Sequence, residues 1–223
     1  MNKILFIAVH PDDETLGCGG TILKHNKQGD EVYWLILTSI RNHPLGLWSN
    51  ETVLERDNTI RKVGKVYGFK KIFQIDLPTM MLDQVDSISF INKVANVIEE
   101  VQPNEVYMMY ENDVHSDHKI SFYAVYSCLK SFRRPYINRI LMFEALSETE
   151  FAVATSQSSF IPNVYVDISD YLEQKLDIMR MYDTELMEEP YPRSISSIQA
   201  LARIRGSRAG VKYAEAFMLL YSK

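Results

Sequence analysis

The chain has 223 residues and a formal net charge of −5, with hydrophobic residues at 46% and charged residues at 24%. These proportions are typical of globular proteins and exclude disordered and fibrous classes. We expect a single domain that spans residues 1–223. The acidic balance argues against a nucleic-acid partner, which requires clustered Lys and Arg, and favours a small-molecule partner.

Targeting and membrane signals are weak. Segment 1–9 has one Lys and a short apolar run without a small-residue cleavage site, which favours a strand over a signal peptide. No run reaches the roughly 18 to 20 apolar residues of a membrane-spanning helix, so we expect no transmembrane segment. Cys18 and Cys128 match neither a zinc knuckle nor a disulfide framework, which predicts a cytoplasmic location. The sequence does not determine the oligomeric state, and a homo-oligomer is one of the states that it allows.

Short apolar runs alternate with helical patterns along the first two thirds of the chain. The runs predict strands at 4–9, 32–38, 72–75, 106–110 and 140–143. Helical spacing predicts helices at 20–28, 52–67, 88–101 and 118–131. This alternation predicts an α/β, Rossmann-like, doubly wound fold with a mainly parallel sheet and helices on both faces.

The pattern changes in the last third of the chain. A polar stretch covers 147–159, and a further strand is predicted at 164–166. Helical patterns predict helices at 170–182 and 209–220. We expect this tail to pack back on the sheet.

Ligand-type side chains follow directly on the first predicted strand, in the run His10-Pro11-Asp12-Asp13-Glu14. Open α/β sheets bind ligands at this end of their strands. An imidazole with a carboxylate three residues on, His10 and Asp13, suits a borderline metal such as zinc, and Asp12 is then free to take a proton from water. The alternative is that both aspartates cap the next helix and that His10 is a core residue.

A second run, His115-Ser116-Asp117-His118, lies in the loop after the fourth predicted strand. In a doubly wound sheet whose order reverses at strand 1, strands 1 and 4 are neighbours, so the two runs should converge. His118 supplies a third metal ligand and leaves a coordination position open, His115 is free for catalysis, and Asp117 can orient an imidazole. The alternative is a helix N-cap at Ser116 or Asp117 with exposed histidines.

Two other features have weaker signals. Arg56, early in the second long predicted helix, can hold a substrate oxygen by a forked hydrogen bond or can be a solvated surface residue. The run Gly17-Cys18-Gly19-Gly20 lacks the G-x-G-x-x-G dinucleotide fingerprint. Its glycines therefore predict tight packing and access to the metal.

Together, His10-Pro11-Asp12-Asp13-Glu14, Gly17-Cys18-Gly19-Gly20 and His115-Ser116-Asp117-His118 resemble motifs of the PIG-L/LmbE-like family of zinc-dependent N-acetylglucosamine deacetylases. Segments 171–175 and 210–217 resemble the carboxyl-terminal segments of that family. The resemblance implies a Rossmann-like fold, a zinc ion held by His10, Asp13 and His118, and Asp12 as general base.

The resemblance also implies an activity, the removal of acetyl from an N-acetylated sugar conjugate to give acetate and a free amine. His115, in its protonated form, would stabilise the oxyanion or protonate the amine, and Arg56 would contact substrate. The chain has Ser116 where many relatives have proline, and Asp113 where some have tyrosine. Another divalent ion, another amide or acyl substrate, and a non-catalytic sugar-binding subunit are the alternatives.

Overall fold

The computed structural model describes residues 1–223, which form seven strands and six α-helices. The strands are β1 (Lys3–Ala8), β2 (Glu31–Ser39), β3 (Lys71–Pro78), β4 (Glu105–Met109), β5 (Arg139–Phe143), β6 (Val164–Asp167) and β7 (Ala214–Ser222). The helices are α1 (Asp13–Lys27), α2 (Asn50–Tyr67), α3 (Ser87–Val101), α4 (Ser116–Ser127), α5 (Leu172–Met179) and α6 (Ile195–Ala209). None of the six is both long enough and apolar enough to cross a bilayer.

All seven strands join one sheet, in the order β3-β2-β1-β4-β5-β7-β6. Strands β1 to β5 pair in parallel, and β7 pairs antiparallel with both β5 and β6. Residues 4–8 of β1 are fully buried, as expected for a central strand covered on both faces. The predicted α/β, doubly wound, mainly parallel fold is thereby confirmed, including the pairing of β1 with β4.

The carboxyl-terminal segment differs from its predicted structure. The helix predicted at 209–220 is wrong: α6 ends at Ala209, Gly210 takes a left-handed conformation with φ of 73°, and Ala214–Ser222 is strand β7. Residues 214–220 include good helix formers. In the folded chain this segment pairs on one side with β5 and on the other with β6, and strand pairing overrides its local helix propensity. Helix α6 was not predicted from the sequence. It buries only three residues, so its sequence has little apolar periodicity.

Helix α1 begins at Asp13, seven residues before its predicted start. The glycines in its first turns weaken the helical signal in the sequence, but close packing against neighbouring elements requires them. A Cβ atom on Gly17 would lie 2.4 Å from the Phe143 ring, and one on Gly20 would lie 2.6 Å from Ile168. Both distances are far below van der Waals contact. The tight packing predicted for the glycine run is therefore confirmed.

A buried ion pair joins α1 to the carboxyl-terminal elements. Lys175 on α5 donates to Glu215 on β7 over 2.7 Å and to the Leu16 carbonyl over 2.8 Å. Glu215 also accepts the backbone N–H groups of Gly20 and Thr21, at 2.9 and 2.7 Å. Both charged side chains are almost fully buried, so each compensates the cost of burying the other.

We expect Lys175→Met to lower the free energy of unfolding by about 3–5 kcal/mol, because it leaves the Glu215 carboxylate buried without its cation. Urea denaturation at constant metal content measures the change. Lys65→Met, the same substitution at an exposed position of α2, is the control and should stay within about 0.5 kcal/mol of the wild type. A loss from Lys175→Met no larger than that of the control would contradict the role of the pair.

Candidate functional site

The first motif turns sharply between β1 and α1. The backbone N–H groups of Val9 and His10 donate to Asp13 Oδ2, over 2.9 and 2.8 Å. These bonds fold the Asp13 carboxylate back over the end of β1, where it is only 3% exposed. The same turn brings the His10 ring to this end of the sheet, with Nδ1 4.0 Å from Asp13 Oδ2.

Asp12 has a strained backbone, with φ of 148° and ψ of −30°. A non-glycine residue rarely takes this conformation unless its surroundings enforce it, and such residues cluster at functional sites. Here the Asp12 N–H donates to the Glu14 carboxylate over 3.1 Å. The Asp12 side chain makes no capping bond to α1, so the helix-cap interpretation of this residue does not hold.

Two carboxylates and two guanidinium groups set the charge environment of Asp12. Burial raises its pKa well above the usual range, and the Asp13 and Glu185 carboxylates raise it further. The guanidinium groups of Arg56 and Arg193 lower the pKa. A carboxylate with a raised pKa is a better proton acceptor than an ordinary surface aspartate.

The second motif presents His118 from the first turn of α4, where the ring is completely buried. His118 Nδ1 lies 2.8 Å from Asp113 Oδ2, which assigns the proton to Nδ1. His118 Nε2 has no hydrogen-bond partner and lies 3.4 Å from Asp13 Oδ2. Burial lowers the pKa of His118, but the Asp13 and Asp113 carboxylates outweigh it and raise the pKa to about 9.

The pairing of β1 with β4 brings the two motifs together. One atom each of His10, Asp13 and His118 lie within 4.8 Å of one another, an arrangement that can hold a metal ion. A second group, His10, His115 and Asp117, meets the same distance criterion. The unpaired and buried Nε2 of His118 fits a metal ligand, because an unpaired buried nitrogen is otherwise costly.

His115 caps α4, in place of the predicted Ser116 or Asp117. Its Nδ1 accepts the Asp117 N–H over 3.1 Å, so the proton of the neutral ring lies on Nε2. Burial and, to a smaller extent, the neighbouring His10 and His118 rings lower the pKa of His115 to about 4. The neutral ring is therefore the resting form, in contrast to the protonated form expected from the sequence.

The Asp117 carboxylate orients His10 and not the other two histidines. Asp117 Oδ2 lies 3.3 Å from His10 Nε2 and also accepts the Met80 N–H over 2.6 Å. A hydrogen bond to Nε2 leaves His10 Nδ1 available to face Asp13.

A cavity of about 830 Å³ opens above both motifs, and its wall includes α2 and a segment that precedes α6. Arg56 on α2 lies in this wall and donates to Glu185 over 2.5 Å. Arg193 donates to Asp12 Oδ2 over 3.3 Å and to Glu185 over 3.2 Å. The structure thus brings every predicted site residue to one place, on or directly beside this cavity.

Sequence reasoning missed three residues of the site. Asp113 holds His118 and accepts a hydrogen bond from Thr149 over 2.6 Å. Its position five residues before a ligand-type histidine is the signal that could have identified it. Glu185 and Arg193 lie more than 170 residues from Asp12, and no local pattern marks them.

Comparison with known proteins identifies relatives that are named as deacetylases. The diacetylchitobiose deacetylase of Thermococcus kodakarensis is 27% identical over 222 residues, which cover 96% of this chain and 82% of that protein. The probable N-acetyl-alpha-D-glucosaminyl L-malate deacetylase 2 of Bacillus cereus is 26% identical over 199 residues, which cover 83% of this chain and 86% of that protein.

The fold also matches a solved structure, the N,N'-diacetylchitobiose deacetylase of Pyrococcus horikoshii. The TM-score is 0.76 at 21% identity, with 99% of this chain and 84% of that chain covered. The sequence profile of the family described as PIG-L: GlcNAc-PI de-N-acetylase matches residues 5–129, more than half of the 223 residues. This match confirms the predicted class of enzyme, a hydrolytic N-deacetylase, and the chain belongs to the PIG-L family of de-N-acetylases.

Proposed function

We propose that this protein is a metal-dependent deacetylase that hydrolyses an N-acetylglucosamine-type conjugate to acetate and a free amine. The observation that carries the proposal is the unpaired, buried His118 Nε2, which faces Asp13 beside a cavity of about 830 Å³. Deacetylase relatives that act on N-acetylated sugars support the substrate class. The cavity volume lies within the range of small-molecule sites.

His10, Asp13 and His118 are the proposed metal ligands. In the other cluster, His115 Nδ1 accepts the Asp117 N–H and Asp117 Oδ2 accepts the Met80 N–H, whereas His118 Nε2 of the proposed set has no hydrogen-bond partner. Two imidazole nitrogens and one carboxylate oxygen suit zinc, although other divalent ions accept the same donors. A bound zinc ion would polarise the acetamide carbonyl and make water more acidic.

Asp12 is the proposed general base. It accepts a proton from the attacking water as the new C–O bond forms, and it returns the proton to the amine nitrogen as the C–N bond breaks. Acetate and the free amine then leave. Its strained backbone and its position on the cavity wall support this role.

His115 and Arg56 are proposed to bind the substrate. Neutral His115 carries its proton on Nε2 and can donate it in a hydrogen bond to the carbonyl oxygen as negative charge develops there. Arg56 lies in the cavity wall, where its guanidinium group can contact the sugar. Asp117 supports catalysis indirectly, because it holds the His10 ring.

We also propose a cytoplasmic location and a small-molecule partner. Cys18 and Cys128 are both free and buried, which supports the proposal of a cytoplasmic location. A net charge of −5 supports a small-molecule partner over nucleic acid.

We expect Asp12→Asn to lower acetate release about 100-fold or more, because the amide cannot accept the water proton. Acetate is measured from a panel of N-acetylglucosamine conjugates with zinc-loaded protein. Asp170→Asn, at an exposed position, is the matched control and should retain wild-type activity. Full activity of the Asp12→Asn protein would refute Asp12 as the base. If the wild type released acetate only from amides other than the sugar conjugates, the proposed substrate class would be refuted.

We expect Asp113→Ala to weaken zinc affinity about 10- to 100-fold, because His118 then loses the carboxylate that fixes its ring and tautomer. Competition with a chromogenic chelator gives the dissociation constant. Glu111→Ala, two residues earlier in the same loop, should bind zinc as the wild type does. Equal affinity of the Asp113→Ala protein and this control would show that Asp113 does not support the metal site.

A further inference from the structure

The proposed base has one side-chain partner, and it comes from the far end of the chain. Arg193 Nη1 donates to Asp12 Oδ2 over 3.3 Å, across 181 residues of sequence. The other oxygen of the carboxylate, Oδ1, makes no hydrogen bond to a side chain. Arg193 therefore fixes one oxygen of Asp12 and leaves the other free for a proton.

Arg193 is itself held by a chain of charges that returns to the catalytic loop. Glu185 accepts from Arg193 Nη1 over 3.2 Å and from Arg56 Nη2 over 2.5 Å. Arg56 Nη1 in turn donates to the Pro11 carbonyl over 3.4 Å. A continuous set of hydrogen bonds thus runs from the Asp12 carboxylate through two arginines and a glutamate to the backbone carbonyl of the residue before Asp12.

The backbone of Arg193 also has a fixed position. The next residue, Ser194, is the N-cap of α6, and its hydroxyl accepts the Ser197 N–H over 3.2 Å. The Arg193 carbonyl accepts the Met187 N–H over 3.3 Å. The guanidinium group therefore projects into the cavity wall from a defined helix start.

The length of the Arg193 contact suits a group that must later accept a proton. Elsewhere in the chain, Arg205 grips Glu144 with two bonds of 2.7 and 2.6 Å, a geometry that occupies both carboxylate oxygens. Arg193 makes a single contact of 3.3 Å to Asp12. One long bond orients the carboxylate without occupying both of its oxygens.

We propose that Arg193 is a positioning residue for Asp12, held in place by Glu185, and that it aims the free carboxylate oxygen at the attacking water. The inference rests on the proposed function, because it assigns Asp12 the role of base. A group that acts through orientation should change the rate of the chemical step and leave substrate affinity unchanged.

The test compares the zinc-loaded wild type with Arg193→Ala, on the conjugate that releases acetate fastest. We expect kcat to fall about 10- to 100-fold while KM stays within about two-fold. Guanidinium ion at a low, non-denaturing concentration should restore part of kcat, whereas ammonium at equal ionic strength should not. Zinc content should match that of the wild type. The thermal unfolding midpoint should fall, because Asp12 loses the cation that compensates its burial, so kcat is measured well below that midpoint. Arg180→Ala, at an exposed ion pair on the surface, is the matched control.

A second variant and a double variant separate the outcomes. If Arg193→Ala fails to fold, Arg193→Lys takes its place with the same expected fall in kcat. In an Asp12→Asn background, removal of Arg193 should cause no further loss, because it acts through Asp12. An unchanged kcat, a rise in KM alone, or additive losses with Asp12→Asn would overturn the positioning role. Absence of acetate release from the wild type would overturn the proposed function and this inference together.

Discussion

The parallel pairing of β1 with β4 is the constraint on which the site depends. Parallel strands end at the same edge of the sheet, so the segments that follow them meet there, although 100 residues separate His10 from the start of the second loop at Tyr110. The strand order reverses at this point. Strands β2 and β3 lie on one side of β1, and strands β4 and β5 lie on the other side. The connections therefore leave β1 and β4 in opposite directions, and the space at the carboxyl ends of these two strands is open to side chains and a ligand.

Burial of charge at this edge needs a compensating interaction. Asp12, Asp13 and Asp113 are each less than 5% exposed, and isolated carboxylates at such depth are costly. Asp113 is paired with the His118 ring and Asp12 with Arg193. Asp13 receives two backbone N–H groups but no cationic side chain within hydrogen-bonding geometry, and a divalent ion between it and the unpaired His118 Nε2 would satisfy both.

Patterns that are local in sequence predicted much of the fold and the convergence of the two motifs. Strands β1, β2, β4 and β5 each contain a continuous apolar run, and the two motifs lie in the segments that follow β1 and β4. Periodicity and position were therefore sufficient to predict that His10, Asp12, Asp13 and His118 meet at one edge of the sheet. Local patterns failed where tertiary pairing decides the outcome. Residues 214–222 form β7 because β5 and β6 lie on either side of them, and the sequence of the segment alone does not encode those neighbours.

The two halves of the chain contribute differently to the site. The family match covers residues 5–129, which contain all the proposed metal ligands and the proposed base. Glu185 and Arg193 lie beyond residue 129, on a segment placed by α5 and α6. The buried Lys175–Glu215 pair ties α5 and β7 to α1, the helix that begins at Asp13. Packing of the carboxyl-terminal third therefore sets the position of Arg193 relative to Asp12, so a sequence change far from the motifs can alter catalysis through the shape of this wall.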